Sequence, residues 1–93
     1  MTGTNNAKKA LLNNRTEFLF TEAEIGNTFA DFALRCDDPN RAARSRTGAR
    51  AAYDAVIHHS AKVALTDEAA HRLSKRLELL KSKLQRLGES FPS

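Results

Sequence analysis

The alternation of hydrophobic and polar residues along the chain predicts three amphipathic helices. In the first segment, large apolar residues recur at steps of three, four or seven, which places them on one face of a helix. These residues are Phe18, Ile25, Phe29, Phe32 and Cys36. Small residues that lie beside this stripe would let a neighbouring helix approach closely. They are Ala23, Gly26, Ala30 and Ala33. The pattern predicts a helix over residues 15–36.

Two asparagines mark the predicted start of this helix. Asn14, followed three residues later by Glu17, fits a capping box, in which each side chain accepts a hydrogen bond from a backbone N–H of the first turn. The preceding segment AKKALL is also compatible with a helix, so an earlier start stays open. We expect the break at Asn13 and Asn14, with residues 1–12 as a flexible N-terminal tail.

The second predicted helix spans residues 39–62. Asp38 suits the N-cap, and Pro39 suits the first helical position, because its missing N–H would have no partner there. Gly48 is a weak point that costs on the order of 1 kcal/mol relative to alanine, and we expect the helix to continue through it. The apolar arc consists of Ala42, Ala49, Ala52, Val56 and Val63, with Tyr53 at its margin.

The third predicted helix spans residues 67–87 and has the clearest signals. Thr66 suits the N-cap, Asp67 and Glu68 lie in the first turn where the helix dipole favours negative charge, and Gly88 follows the last turn. Its leucines alternate steps of four and three, which is a heptad pattern. They are Leu73, Leu77, Leu80, Leu84 and Leu87.

Three helices of about 20 residues joined by short turns predict an all-α fold, an antiparallel up-down-up three-helix bundle. The chain has 93 residues, which fits one domain, and we place that domain at residues 13–88. Residues 89–93 are expected to form a C-terminal tail. Ala, Leu, Lys, Arg and Glu dominate over Ile, Val and Tyr, which favours helix over sheet.

Composition and charge narrow the classes of function. No apolar run approaches the ~20 residues that span a bilayer, and the first residues lack the apolar stretch of a signal peptide, so we expect a cytoplasmic location and no membrane partner. The single cysteine, Cys36, cannot form an internal disulfide. The net charge is +4, with a net acidic first third and net basic remainder.

The second helix carries four arginines that form a possible interaction surface. They are Arg41, Arg44, Arg46 and Arg50. A helix that tracks phosphates gathers its cations on one side, whereas these arginines occupy most of the circumference outside the apolar arc. Asp54 lies one turn after Arg50 and can pair with it. The pattern therefore favours a solvated face, with an acidic protein partner and nucleic acid as alternatives.

Catalytic and metal sites find little support in the sequence. His59, His71 and Asp67 are the one set that would suit zinc, but His71 projects away from the leucine seam and His59 fits a partly buried histidine at the edge of the apolar arc. Cys36 fits a small core residue better than a nucleophile. We expect no enzymatic activity, no metal, no cofactor and no small-molecule substrate.

The leucine seam of the third helix has two interpretations. The favoured one is the core of the bundle, since the first two helices each need a partner face. Alternatively, Leu79 lies off the seam and could widen the apolar surface, which would permit a homodimer or a partner helix in a groove.

Two short segments resemble the helix pair of a tetratricopeptide repeat. A large apolar residue and Gly precede an aromatic in the run Ile25-Gly26-Asn27-Thr28-Phe29, and a small residue precedes an aromatic in Ala49-Arg50-Ala51-Ala52-Tyr53. The interval between the two runs is longer than in that family, and no second repeat follows. The segment ARAAYDAVI with a leucine-rich helix after it also resembles short bacterial helical proteins. Either resemblance implies a scaffold or interaction role and transfers no catalytic residue.

The sequence therefore predicts a small helical module for protein–protein interaction or scaffolding, with self-association as one form of it. The alternative is a nucleic-acid-binding protein that uses the basic second and third helices.

Overall fold

The computed structural model describes residues 2–92, with side chains described from Asn14 onward. Within this range the chain forms three α-helices: α1 (Thr2–Arg35), α2 (Pro39–Ser60) and α3 (Asp67–Arg86). This confirms the predicted all-α three-helix bundle and places the ends of α2 and α3 within two residues of the predicted ends.

The predicted start of the first helix is wrong. α1 runs without a break through Asn13 and Asn14 and begins at Thr2, so Asn14 is an interior residue and the capping box does not form. The segment AKKALL consists of strong helix formers, and asparagine in a helix interior costs less than about 0.7 kcal/mol, which is too little to end the helix. The predicted N-terminal tail 1–12 is thus helical from Thr2, and Met1 lies outside the described residues.

The predicted caps of α2 and α3 are confirmed. The Asp38 carboxylate accepts a hydrogen bond from the N–H of Asn40 at 2.9 Å, and Pro39 occupies the first turn. The Thr66 hydroxyl accepts from the N–H of Ala69 at 3.1 Å. α2 also continues through Gly48, as expected.

The core confirms the up-down-up order of the helices. At one end Leu19 of α1 packs with Val56 of α2 and Leu73 of α3. At the other end Ala30 packs with Ala49 and Leu84, together with Leu80. Rising numbers along α1 therefore meet falling numbers along α2 and rising numbers along α3. The leucine seam faces this core, since Leu73, Leu80 and Leu84 are at most 2% exposed.

The buried face of α1 is the one with small residues. It consists of Leu19, Ala23, Gly26, Ala30 and Ala33. At Gly26 the three helices approach so closely that an added Cβ would lie 2.7 Å from Leu80 Cδ2 and 3.1 Å from Ala52 Cβ. Both distances are shorter than ordinary van der Waals contact, so glycine is what permits this packing.

The chain turns back on itself after α3. Gly88 has φ of 95°, a left-handed conformation that glycine adopts without strain. The N–H of Glu89 donates to the carbonyl of Leu84 at 2.9 Å, and that of Gly88 to the carbonyl of Gln85 at 3.0 Å, which is the Schellman pattern. The predicted C-terminal tail consequently packs on α2 through Glu89 and Phe91, while Ser93 lies outside the described residues.

Two glycine substitutions test this packing against helix propensity. Alanine in place of a helix-interior glycine gains about 1 kcal/mol, whereas overpacking a core costs about 1–3 kcal/mol. We expect Gly26→Ala to lower the free energy of unfolding by about 1 kcal/mol, because the new methyl group collides with Leu80 and Ala52.

The matched control is Gly48→Ala, where the added Cβ meets only the Phe29 ring, at 3.4 Å. This change is expected to stabilise the protein by about 0.5–1 kcal/mol. Urea denaturation of the variants at one protein concentration measures both values. Equal stabilisation by the two substitutions would show that Gly26 is not tightly packed.

Candidate functional site

The large apolar residues of α1 lie mostly outside the core. Phe18 is 47% exposed, Ile25 41%, Phe29 42% and Phe32 42%. We call these four residues the α1 stripe. The sequence pattern made them the apolar face of the helix, but the bundle buries the adjacent arc of small residues instead. The reason is geometric, since α2 and α3 approach closely only where α1 presents alanine and glycine.

A second row of residues runs along α2 next to the α1 stripe. Its members follow each other at steps of three or four and so share one side of the helix. They are Arg41, Arg44, Gly48, Ala51, Ala55 and His59, and with Lys62 of the turn after α2 we call them the α2 row. Its middle is small, and its two ends carry the basic side chains.

Two contacts join the α1 stripe to the α2 row. The Phe18 and His59 rings meet edge to face, with centroids 5.7 Å apart. The Phe29 ring lies over Gly48. These contacts put the α1 stripe and the α2 row on the same surface of the α1–α2 hairpin, opposite to the surface that α3 covers. We call this surface the open face, because within residues 14–92 no other helix packs on it.

The α1 edge of the open face is polar. Thr21, Glu24 and Thr28 line a shallow cleft of about 320 Å³ together with Ile25 and Phe29. The Glu24 side chain is 74% exposed. At the far end, a cleft of about 380 Å³ lies between Phe18, His59 and Lys62. The surface is therefore apolar along its length and basic at the two ends of the α2 row.

The four predicted arginines divide into two pairs. Arg46 and Arg50 turn away from the open face and bind the segment after α3. Arg46 Nε lies 2.7 Å from Glu89 Oε2, and Arg50 Nη1 lies 3.6 Å from Glu89 Oε1. Arg50 Nη1 also donates to the carbonyl of Ser90 at 2.8 Å, and its Nε pairs with Asp54, as expected. Arg41 and Arg44 are exposed at one end of the open face.

An aromatic side chain fastens the same segment. Phe91 meets Tyr53 edge to face, with ring centroids 5.0 Å apart, and the guanidinium of Arg50 lies 4.1 Å from the Phe91 centroid. Arg50 therefore contacts Glu89, Ser90 and Phe91 at once. These two arginines bind partners within the chain, which sequence reasoning missed because the partners are about 40 residues away.

Leu79 stands apart from both surfaces. It is 54% exposed on α3, and it lies outside the open face because α3 covers the opposite side of the hairpin. Its neighbours one turn away on α3 include Arg76 and Lys83, which reach Glu24 and Asp31 of α1. The expectation that Leu79 widens an apolar surface therefore finds no partner residue in the structure.

His59 and Cys36 lie in different surroundings from those predicted, whereas His71 is exposed on α3, as predicted. His59 is exposed and meets the Phe18 ring edge to face, whereas a partly buried position was expected. Cys36 follows the last residue of α1 and is half-buried, with its thiol 3.6 Å from the carbonyl of Asp38. Among the described side chains, no group of three or more His, Cys, Asp and Glu residues is arranged to hold a metal ion.

Comparisons with known proteins assign neither a family nor a function to this chain. The chain matches no protein-family model, no curated protein and no solved structure. The resemblance to a tetratricopeptide-repeat helix pair therefore stays a prediction. No helix in residues 2–92 combines the length and apolar character required to cross a membrane.

The contacts of the C-terminal segment generate a prediction about stability. Phe91→Ala removes a half-buried ring together with its contacts to Tyr53 and Arg50, and we expect the free energy of unfolding to fall by about 1–2 kcal/mol. Thermal denaturation followed by circular dichroism measures this change.

Glu89→Gln is the control for charge. The Arg46 side chain is 43% exposed, so the ion pair is screened by solvent, and its loss should cost less than about 1 kcal/mol. A Phe91→Ala protein as stable as the wild type would mean that the segment does not pack on α2 in solution.

Proposed function

We propose that this protein is a protein–protein interaction module that binds its partner through the open face. The observation that carries the proposal is the α1 stripe, in which four large apolar side chains in one row are each more than 40% exposed. Single exposed apolar residues are ordinary on protein surfaces, whereas contiguous apolar patches with a polar border mark interaction sites.

The composition of the open face supports the same function. Aromatic residues and arginine are enriched at protein interfaces, and the α1 stripe contains three phenylalanines beside Arg41 and Arg44. Covering the stripe would remove about 300 Å² of apolar surface from water, worth about 7 kcal/mol before the cost of association. That is a large fraction of what a small domain gains by folding.

Nucleic-acid binding receives less support from the same residues. Arg46 and Arg50 are engaged with Glu89 and the carbonyl of Ser90, which leaves Arg41 and Arg44 as the free pair of the four predicted arginines. A surface that binds the phosphates of a nucleic acid requires more cationic side chains on one side than these two arginines.

Site-specific photo-crosslinking tests the proposed function. A photoreactive phenylalanine analogue placed at position 29 should form crosslinks to protein in the cells that express the chain, because it lies in the middle of the open face. The same analogue at position 79 is the control, since Leu79 is even more exposed than Phe29 but lies on α3. The mass of each crosslinked product identifies what occupies the face.

The expected result is strong crosslinking at position 29 and at most weak crosslinking at position 79. Crosslinking that is absent at position 29, or equal at both positions, would contradict the proposed role of the open face.

A further inference from the structure

We infer that the occupant of the open face is a second copy of this chain, and that α1 of each copy lies over α2 of the other. This inference rests on the proposed function, because it names the partner of the same face. The inference is based on the self-complementarity of the open face, which fits the open face of a second copy rotated by 180° about an axis parallel to the helices.

Shape is the first part of this complementarity. The large side chains of the open face belong to α1, at Ile25 and Phe29. The middle of the α2 row is small, because Gly48 lies under Phe29 of the same chain and Ala51 and Ala55 present only methyl groups. When one copy places its α1 over this part of α2 of the other copy, the large side chains of α1 face the small side chains of α2. Placing α1 over α1 would instead oppose large side chains to each other and leave a gap between the two α2 helices.

The register of the helices fits such a pairing. Within one chain Phe18 lies level with His59 and Phe29 level with Gly48, so Ile25 is level with Ala51 and Ala52. A two-fold axis parallel to the helices keeps these levels and exchanges α1 with α2. Ile25 of one copy then faces Ala51 of the other. The two-fold symmetry forms this contact twice in the dimer.

Charge favours the same arrangement. From residue 15 onward α1 is net acidic, and two of its carboxylates, Glu24 and Asp31, are reached by Arg76 and Lys83 of α3. The α2 row carries Arg41, Arg44 and Lys62. With α1 over α2, the acidic helix faces the basic one in both halves of the dimer, whereas α1 over α1 sets like charges against each other. Phe32 also comes level with Arg44, a geometry for a cation–π contact.

The size of the open face suits a dimer. It runs from Asn14 to Cys36, about 33 Å at 1.5 Å per residue, and two helices give it a width of about 20 Å. This is on the order of 650 Å² from each copy, or about 1,300 Å² in total, which lies within the range of stable protein interfaces. The resulting contact of α1, α2 and their two copies is a four-helix arrangement with α3 on each outer surface.

Sedimentation equilibrium on the purified chain tests the self-association. The wild type should dimerise, and Phe29→Glu should raise the dimer dissociation constant by on the order of 100-fold or more, because the charge is buried twice in a symmetric interface. Leu79→Glu introduces the same charge at an exposed apolar position on α3 and should change the constant less than about threefold.

A second pair of variants guards against effects on folding. Ala51→Glu places a charge in the α2 row, and Ala43→Glu makes the identical change at an exposed position on the other side of α2. We expect Ala51→Glu to weaken the dimer and Ala43→Glu to leave it unchanged, with equal helix content by circular dichroism. A wild type that stays monomeric at high concentration overturns the inference, as does a dimer that Phe29→Glu and Ala51→Glu both leave intact.

Disulfide trapping tests the arrangement, in a Cys36→Ser background. A chain with Ile25→Cys mixed with a chain with Ala51→Cys should form a crosslinked heterodimer on oxidation, whereas Ile25→Cys alone should not crosslink to itself. Self-crosslinking of Ile25→Cys would mean that α1 packs on α1 and would overturn the proposed geometry.

These experiments distinguish a failure of the proposed function of the open face from a failure of the inference that its partner is a second copy. A monomeric chain that still gives strong photo-crosslinks at position 29 retains the proposed function and loses the second copy as partner. A chain without crosslinks at position 29 loses both.

Discussion

The three helices meet closely at Gly26, and this contact decides which residues of α1 lie in the core. An added Cβ there would lie 2.7 Å from Leu80 and 3.1 Å from Ala52, so the helices reach this separation only because α1 has no side chain at this position. Ala23, Ala30 and Ala33 extend this narrow contact along α1, and the leucines of α3 fill it. A small domain buries only a limited fraction of its surface, so its core is small. Much of the core here consists of the leucines of α3 packed against alanine and glycine.

This contact determines where the large apolar residues go. Because α1 faces its neighbours with its small residues, the α1 stripe is displaced toward solvent beside α2, while α3 occupies the opposite surface of the hairpin. The same chain therefore holds a well-packed core and an uncovered apolar face on one helix. The division of the arginines follows the same logic: Arg46 and Arg50 lie on the side that the C-terminal segment covers, and Arg41 and Arg44 lie at the open face.

Local signals made most of the fold predictable. The caps at Asp38 and Thr66, the glycine at position 88 and the leucine heptad each depend on neighbours within a few residues, and all four hold. The predicted start of α1 is wrong because the strong helix formers before Asn13 and Asn14 outweigh the low helix propensity of this asparagine pair.

The candidate site was harder to predict, because it depends on contacts distant in sequence. α1 carries two adjacent arcs, one large and one small, and periodicity alone does not say which of them is buried. The two arcs together are wider than one helix of a three-helix bundle needs for its core. This excess width was the signal in the sequence that one of the arcs would remain exposed. The attachment of Glu89 and Phe91 to α2 likewise depends on a turn that sends the chain back across some 40 residues.

Fluorine NMR of the chain with fluorinated phenylalanine, recorded over a dilution series, tests directly whether two copies associate through the α1 stripe. The chain has five phenylalanines. Three belong to the α1 stripe, whereas Phe20 lies under Arg72 and Arg76 and Phe91 lies on Tyr53. The resonances of Phe18, Phe29 and Phe32 should shift with protein concentration, and those of Phe20 and Phe91 should stay in place. Five resonances that do not change with concentration, or shifts confined to Phe20 and Phe91, would contradict the account.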